Sequence, residues 1–363
     1  MMNNTYSTIL KSRTKRKRRY VVTTVLLLLI SLALCCAMLM LGNTYYPVKD
    51  VIAVLMGEQV KGASFTVGTL RFPRMLAGLL TGFAFGVGGY VFQTMLRNPL
   101  ANPNVIGVTA GSSAAAVFCI VVLHASNTVI SVASVLGGLV TVAIIYGLSR
   151  GSSFSIGRLI LIGIGIQAML NAFISYLMLI AKTYDLPTAL RWLSGSLNGA
   201  KIETMTPLLI VCIICTPILV YFASHLEMLE LGEQAATSLG VATNKVRIVL
   251  LVCSVLLISL ATSITGPIAF ISFLAGPIAR RIVGVGFSAL IPAGLIGVIL
   301  VLTADLIGQF AFDVRYPVGV ITGIIGAPYL IFLLIKMNRK GNIYWHIHYK
   351  RTIFILATIK SQF

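Results

Sequence analysis

The chain has 363 residues, of which 58% are apolar and 10% charged, with a mean hydropathy of +0.97 and a formal net charge of +19. These values lie far from those of a soluble globular domain and describe a polytopic membrane protein. They also set aside a nucleic-acid binder, because the densest basic run, Lys11 to Arg19, leads straight into a long apolar stretch. Anchoring on anionic membrane lipid is the simpler use of that charge.

At roughly 20 apolar residues per span, hydropathy predicts ten helices, near 21–41, 75–96, 105–124, 128–149, 157–181, 205–224, 247–265, 268–284, 287–308 and 317–336. The chain then divides into a basic segment 1–20, a membrane domain 21–338 and a tail 339–363. The first apolar run is too long for a signal peptide and has no small-residue cleavage site after it. With the amino terminus inside, twenty of the 28 lysines and arginines fall on inner segments and eight on outer ones. Cytoplasmic loops keep positive charge, so both termini are predicted to be cytoplasmic.

The second span starts after Arg71 and Arg74 and carries Gly78, Gly82, Gly86 and Gly89. Glycines about four residues apart leave one helical face nearly bare, so a neighbouring helix can approach at backbone distance. Asn98-Pro99-Leu100-Ala101-Asn102-Pro103 follows. This polar break belongs at a membrane surface or a water-filled cavity. The six cysteines, at 35, 36, 119, 212, 215 and 253, all lie in apolar stretches. Cys212 and Cys215 have CxxC spacing but no further ligands beside them, so all six read as small apolar residues and no metal site is expected.

The sequence contains no GxxxxGK[ST] phosphate loop, so this chain is expected to bind neither ATP nor any other cofactor. No nucleophile, base and orienting acid come together by spacing, which argues against an enzyme. Among the nine acids, Asp305 alone falls inside a predicted span, near its outer end, and reads as a satisfied interfacial carboxylate rather than a proton relay. One inner loop, about 225–246, is amphipathic rather than basic. Leu226, Leu229, Ala236 and Leu239 mark its apolar side, and Glu227, Glu230 and Glu233 stand three apart on another. Gly232 permits a break between two short helices, and Gly240 suits a C-terminal cap. The pattern alone fits a solvated interfacial helix, while the acidity on the positive inner face suggests a protein surface that meets it.

Several motifs occur in a fixed order. They are Arg71-Phe-Pro-Arg74; Gln93 with Asn98-Pro-Leu-Ala101; Ile106-Gly-Val108; Arg158-Leu159; Trp192 with Gly195-Ser-Leu197; Leu231-Gly-Glu233 with Leu239-Gly-Val241; Gly266-Pro-Ile-Ala-Phe270 with Pro277 and Arg280; Ala304-Asp305; and Pro317-Val-Gly-Val320 with Gly326 and Pro328. Collinear over about residues 20–338, they resemble the FecCD-type permeases, the membrane subunits of ABC importers for iron-siderophores, haem and cobalamin.

The resemblance implies an all-α bundle of ten transmembrane helices in a bacterial cytoplasmic membrane. Two permease subunits enclose one pathway, two cytoplasmic ATPases hold ATP and magnesium, and an extracytoplasmic substrate-binding protein delivers the cargo. It implies docking of that binding protein on Arg71 and Arg74. It also implies coupling to the ATPase through the loop with Glu227, Glu230, Gly232, Glu233, Leu239 and Gly240. Ser155, Ile156 and Gly157 match the region that narrows the pathway near the cytoplasm, and Gln93 and Asn98 join them as pathway candidates. Gln309 stands where some relatives have a third docking arginine, with Arg315 as a substitute. Gly276-Pro277-Ile278-Ala279-Arg280 resembles one of the two unlike subunits of siderophore importers, which implies a heterodimer and an iron-siderophore cargo. Haem and cobalamin are the alternative cargoes, and an ion-coupled secondary carrier is the alternative of a different class.

Overall fold

The computed structural model describes residues 2–99, 101, 107–149 and 156–335, with side chains from residue 11 onward and Ile156 excepted. In chain order the helices are α1 (Met2–Met40), α2 (Val48–Leu55), a π-helical stretch (Ser64–Arg71) running into α3 (Phe72–Met95), α4 (Val108–Val121), α5 (Asn127–Ser149), α6 (Ile156–Ile180) and α7 (Leu186–Leu193). They continue with α8 (Ile202–Tyr221), α9 (Ala223–Glu230), α10 (Glu233–Ser238), α11 (Thr243–Thr265), α12 (Ile271–Val283), α13 (Leu290–Phe310) and α14 (Val318–Ile335). No strand occurs among the described residues. Contacts divide the chain into two units, 1–322 and 323–363, and the described part of the second, 323–335, continues α14.

Among the described residues eight helices are long and apolar enough to cross a membrane. α4 and α12, with 14 and 13 residues, fill the two remaining predicted positions. At 1.5 Å per residue each spans only about 20 Å of a hydrocarbon layer roughly 30 Å thick. They are tolerated because they are sheathed by protein: almost all of α4, and most of α12, is buried. In the other direction, α1 runs back through the basic stretch that hydropathy left outside the first span. The short helices α2 and α7, and the π-helical lead into α3, are additions that the ten-span reading did not contain.

α3 is the axis of the bundle: 83% of the apolar window of its 32-residue run is buried, against 11% for α6. The glycine face accounts for this. A Cβ on Gly82 would sit 2.8 Å from the Gly297 carbonyl oxygen and the Val298 Cα, and one on Gly86 would strike the Ala293 backbone. α3 and α13 therefore meet backbone to backbone, as the four-residue glycine spacing predicts. Gly89 is held in the same way against Ser272 of α12.

Long-range side-chain contacts gather at the two ends of α3. At one end Arg74 meets Asp305 and Asn198. At the other, Arg280 meets Thr94 and Glu230. At the Arg74 end, motifs far apart in sequence interlock. The Ser196 N–H donates to Thr265 O at 2.7 Å and the Gly319 N–H to Gly195 O at 3.1 Å.

Candidate functional site at the two ends of the bundle

At the Arg74 end a cavity of about 430 Å³ is lined by Arg71, Arg74, Arg315, Asn43, Asn198 and Gln309, among others. Its three arginines differ. Arg71 Nη1 donates to the carbonyls of Leu39 (2.9 Å) and Met40 (2.8 Å), Nη2 donates to Thr44 O (2.6 Å), and the guanidinium lies 5.0 Å from the Tyr46 ring centre. It thus closes the C-terminal carbonyls of α1, where a cation is favoured.

Arg74 is held more firmly. Its Nε donates to Asp305 Oδ2 at 2.8 Å and its Nη2 to Oδ1 at 2.7 Å, a two-pronged pair. Nη1 reaches the Asn198 side chain, and Gln309 Nε2 donates to Asp305 Oδ2 at 2.6 Å. The Asp305 side chain is 1% exposed and that of Arg74 17%. Asp305 is thus the satisfied carboxylate the sequence suggested, though buried rather than interfacial, and it takes one further donor, Gln309, beside the Arg74 guanidinium. Gln309, at the alternative arginine position, supports this acid. Arg315 is exposed on the rim, with Nη2 3.0 Å from Asn43 Oδ1.

At the opposite end, α8 leads into α9, and Gly232 separates α9 from α10 with φ +118° and ψ 155°. Only glycine adopts that conformation readily. α10 ends on Gly240 at φ +83°. The N–H of Val241 bonds Ala236 O (3.0 Å) and the N–H of Gly240 bonds Thr237 O (2.9 Å), the paired bonds of a Schellman cap. Leu226, Leu229 and Ala236 are buried beneath the two helices, whereas Leu239 is exposed.

The carboxylates face the bundle's cations. Glu230 Oε1 lies 2.5 Å from Arg280 Nη1, and Glu233 Oε2 lies 3.5 Å from Nη2 of Arg247, whose side chain is 6% exposed. Burial lifts the Glu227 carboxyl above the usual carboxylate range, Glu230 adds to the rise, and Arg280 opposes it.

Of the pathway candidates, Gln93 is 3% exposed under α12, where its Nε2 donates to Phe273 O at 2.9 Å. Pro277, four residues on, has no N–H for that carbonyl, so Gln93 supplies the missing donor. It lines neither end and props a proline position instead. Asn98 is exposed just beyond α3, whose C-terminus closes through Asn98 N–H to Gln93 O (3.0 Å) and a left-handed Arg97 (φ 52°). Gly157 is exposed in the first turn of α6. Ser155 and the Ile156 side chain lie outside the described residues, as do Leu100, 102–106 and the tail from 336.

A polar face absent from those candidates lies on α6. Gln167, Asn171 and Ser175, four apart, line a cleft of about 370 Å³ with Thr109 and Ser113 of α4. Asn171 and Ser175 are exposed, and Gln167 partly so. Amides inside a span mark protein contacts or a wet pathway. Their spacing in an apolar run was the sequence signal for them.

A bundle of apolar helices with an arginine-lined cavity at one end and a two-helix acidic platform at the other defines a multi-pass membrane permease. The chain belongs to the FecCD transport family, whose profile matches residues 27–336. It is 38% identical over 306 residues to the ferric enterobactin transport system permease protein FepG of Escherichia coli, covering 83% of this chain and 92% of that one. With the ferric enterobactin transport system permease protein FepD of the same organism it shares 34% over 308 residues, 84% of this chain and 92% of the relative. A solved metal-chelate type ABC transporter in an inward-facing conformation superposes with a TM-score of 0.76 and 28% identity, over 87% of this chain and 99% of its own. The chain is thus an ABC importer permease subunit, a transport protein rather than an enzyme.

Proposed function

We propose that this chain is one of two unlike permease subunits that pass an iron-siderophore complex inward across a bacterial cytoplasmic membrane, with both of its termini in the cytoplasm. The observation that carries the reading is its alignment, over most of both chains, with two E. coli permeases of one ferric-siderophore system. That alignment supports a second FecCD permease as partner. The uncovered amides of α6 support the same arrangement, because a facing subunit supplies the protein or water that lipid cannot.

ATP and magnesium belong to two ATPase subunits, one of them seated on α9 and α10 of this chain, where Glu227, Glu230 and Glu233 give the platform its charge. The extracytoplasmic binding protein docks at the Arg74 end. Arg315 offers it the exposed charge, while Arg71 and Arg74 shape the cavity behind. The test is uptake of a panel of iron chelates by cells lacking only this chain. Loss of one ferric-siderophore class, with haem and cobalamin uptake intact, is the expected result. Undiminished siderophore uptake, or loss of haem or cobalamin uptake instead, would refute the assignment.

A further inference from the structure

We propose that Arg280 is the positioning residue that ties the α9 platform to the α3–α13 pair, so that a displacement of α9 moves both helices together. The proposal rests on the importer reading above and names the residue through which coupling runs. Arg280 sits in the last turn of α12 and makes three contacts on two other helices, α9 and α3. Nη1 lies 2.5 Å from Glu230 Oε1 of α9, Nη2 donates to the Thr94 hydroxyl in the last turn of α3, and the guanidinium lies 5.0 Å from the Tyr90 ring centre. Thr94 is fully buried and Tyr90 is 3% exposed, so this side of the guanidinium is anchored in the core.

The Tyr90 hydroxyl accepts the Ala289 N–H at 3.2 Å, which carries the connection to the residue before α13. Three donor and ring contacts thus join α9, α12, α3 and the start of α13 through one planar cation, which a lysine could not reproduce. A second acidic contact lies beside it: Glu233 meets Arg247 near the start of α11, where Arg247 Nη1 also donates to Asn244 Oδ1 of the same helix at 3.4 Å.

What Arg280 holds is also stiff. Gly82 and Gly86 lock α3 to α13 at backbone distance. The far ends of the same two helices are joined by the Arg74–Asp305 pair. A packed pair of this kind transmits a displacement rather than absorbing it. The arrangement links the ATPase platform to the cavity at the other end through two helices and two arginines.

The experiment uses the assembled importer, with partner permease, ATPases and binding protein, in proteoliposomes. It reads recovered complex, ATP hydrolysed and ferric-siderophore transported. Arg280→Ala is expected to lower transport per ATP about tenfold in complex that still assembles, and Thr94→Val, which removes one arm without changing shape, about threefold. Adding Glu230→Gln to Arg280→Ala is expected to lower the ratio no further, because both changes cut the same link. Arg280→Lys keeps a positive charge toward Glu230 but loses the planar fork, and is expected to stay below the wild-type ratio. The proposal is overturned if Arg280→Ala and Thr94→Val keep the wild-type ratio, if transport falls only in step with recovered complex, or if Arg280→Lys matches the wild type. A wild-type chain that fails to assemble with the ATPases, or transports without ATP, would instead sink the importer reading itself.

Discussion

Replacing Asp305 by Asn removes the negative charge from a carboxylate that is 1% exposed and accepts three hydrogen bonds, two from Arg74 and one from Gln309. Breaking a buried pair from one side costs about 3–5 kcal/mol, because the remaining charge stays desolvated. Arg74 keeps 17% of its side chain exposed and lines an open cavity, so water recovers part of that loss. The expected cost is therefore near the lower bound, about 3 kcal/mol. At roughly 2 °C per kcal/mol for a large chain, the unfolding midpoint in detergent should fall by about 6 °C. The double change Arg74→Met with Asp305→Leu removes both charges and keeps apolar volume, so it should return to within about 1 kcal/mol of the parent. A single-variant shift below about 1 °C, or a double variant as unstable as the single one, would show that the pair is not buried as described.

Four further outcomes follow. Gln93→Leu leaves Phe273 O without its side-chain donor and should cost about 1–3 kcal/mol by thermal unfolding; adding Pro277→Ala restores a helical N–H and should recover most of it. Gly232→Ala forces a side chain onto φ +118° and should cost about 1–3 kcal/mol locally, read as weaker co-purification of the ATPase with little change elsewhere. Glu227 has a folded pKa above its unfolded value, so it favours the fold when protonated and loses that contribution as pH rises through the folded pKa. The wild-type midpoint should therefore rise relative to Glu227→Gln on acidification from neutral pH, and parallel curves would contradict the assignment. Arg315→Glu should slow binding-protein association, most strongly at low salt, with unfolding unchanged; an unaltered association rate would remove Arg315 from the docking surface.

Much of the bundle was legible because membrane spans are written locally. Apolar runs placed the eight long helices and the two shorter ones, α4 and α12, and the four-residue glycine spacing identified the face of α3 that meets α13. Gly232 and Gly240 marked the break and the end of the two short helices for the same reason, since a backbone conformation constrains its own residue. Pairings across the fold were not legible. Arg74 and Asp305 are separated by 231 positions, and no local period encodes their meeting. An outward arginine edge therefore hid a residue turned to an internal acid. Gln93 illustrates the same limit. The family motif it shares with Asn98 suggested a pathway role, while its partner is a carbonyl 180 residues away, freed by a proline. The polar face of α6 was within reach of a period count, because Gln167, Asn171 and Ser175 recur every four residues.

The account's central claim is that this chain conducts a ferric chelate only as part of an ATP-driven importer. Reconstitution of the chain alone, and of the complex with its partner permease and ATPases, tests it most directly, with binding protein and ferric siderophore supplied outside. The account predicts accumulation only in vesicles that hold the whole complex and hydrolysable ATP, and none with a non-hydrolysable analogue. Accumulation by the chain alone, or driven by an ion gradient without ATP, would contradict it.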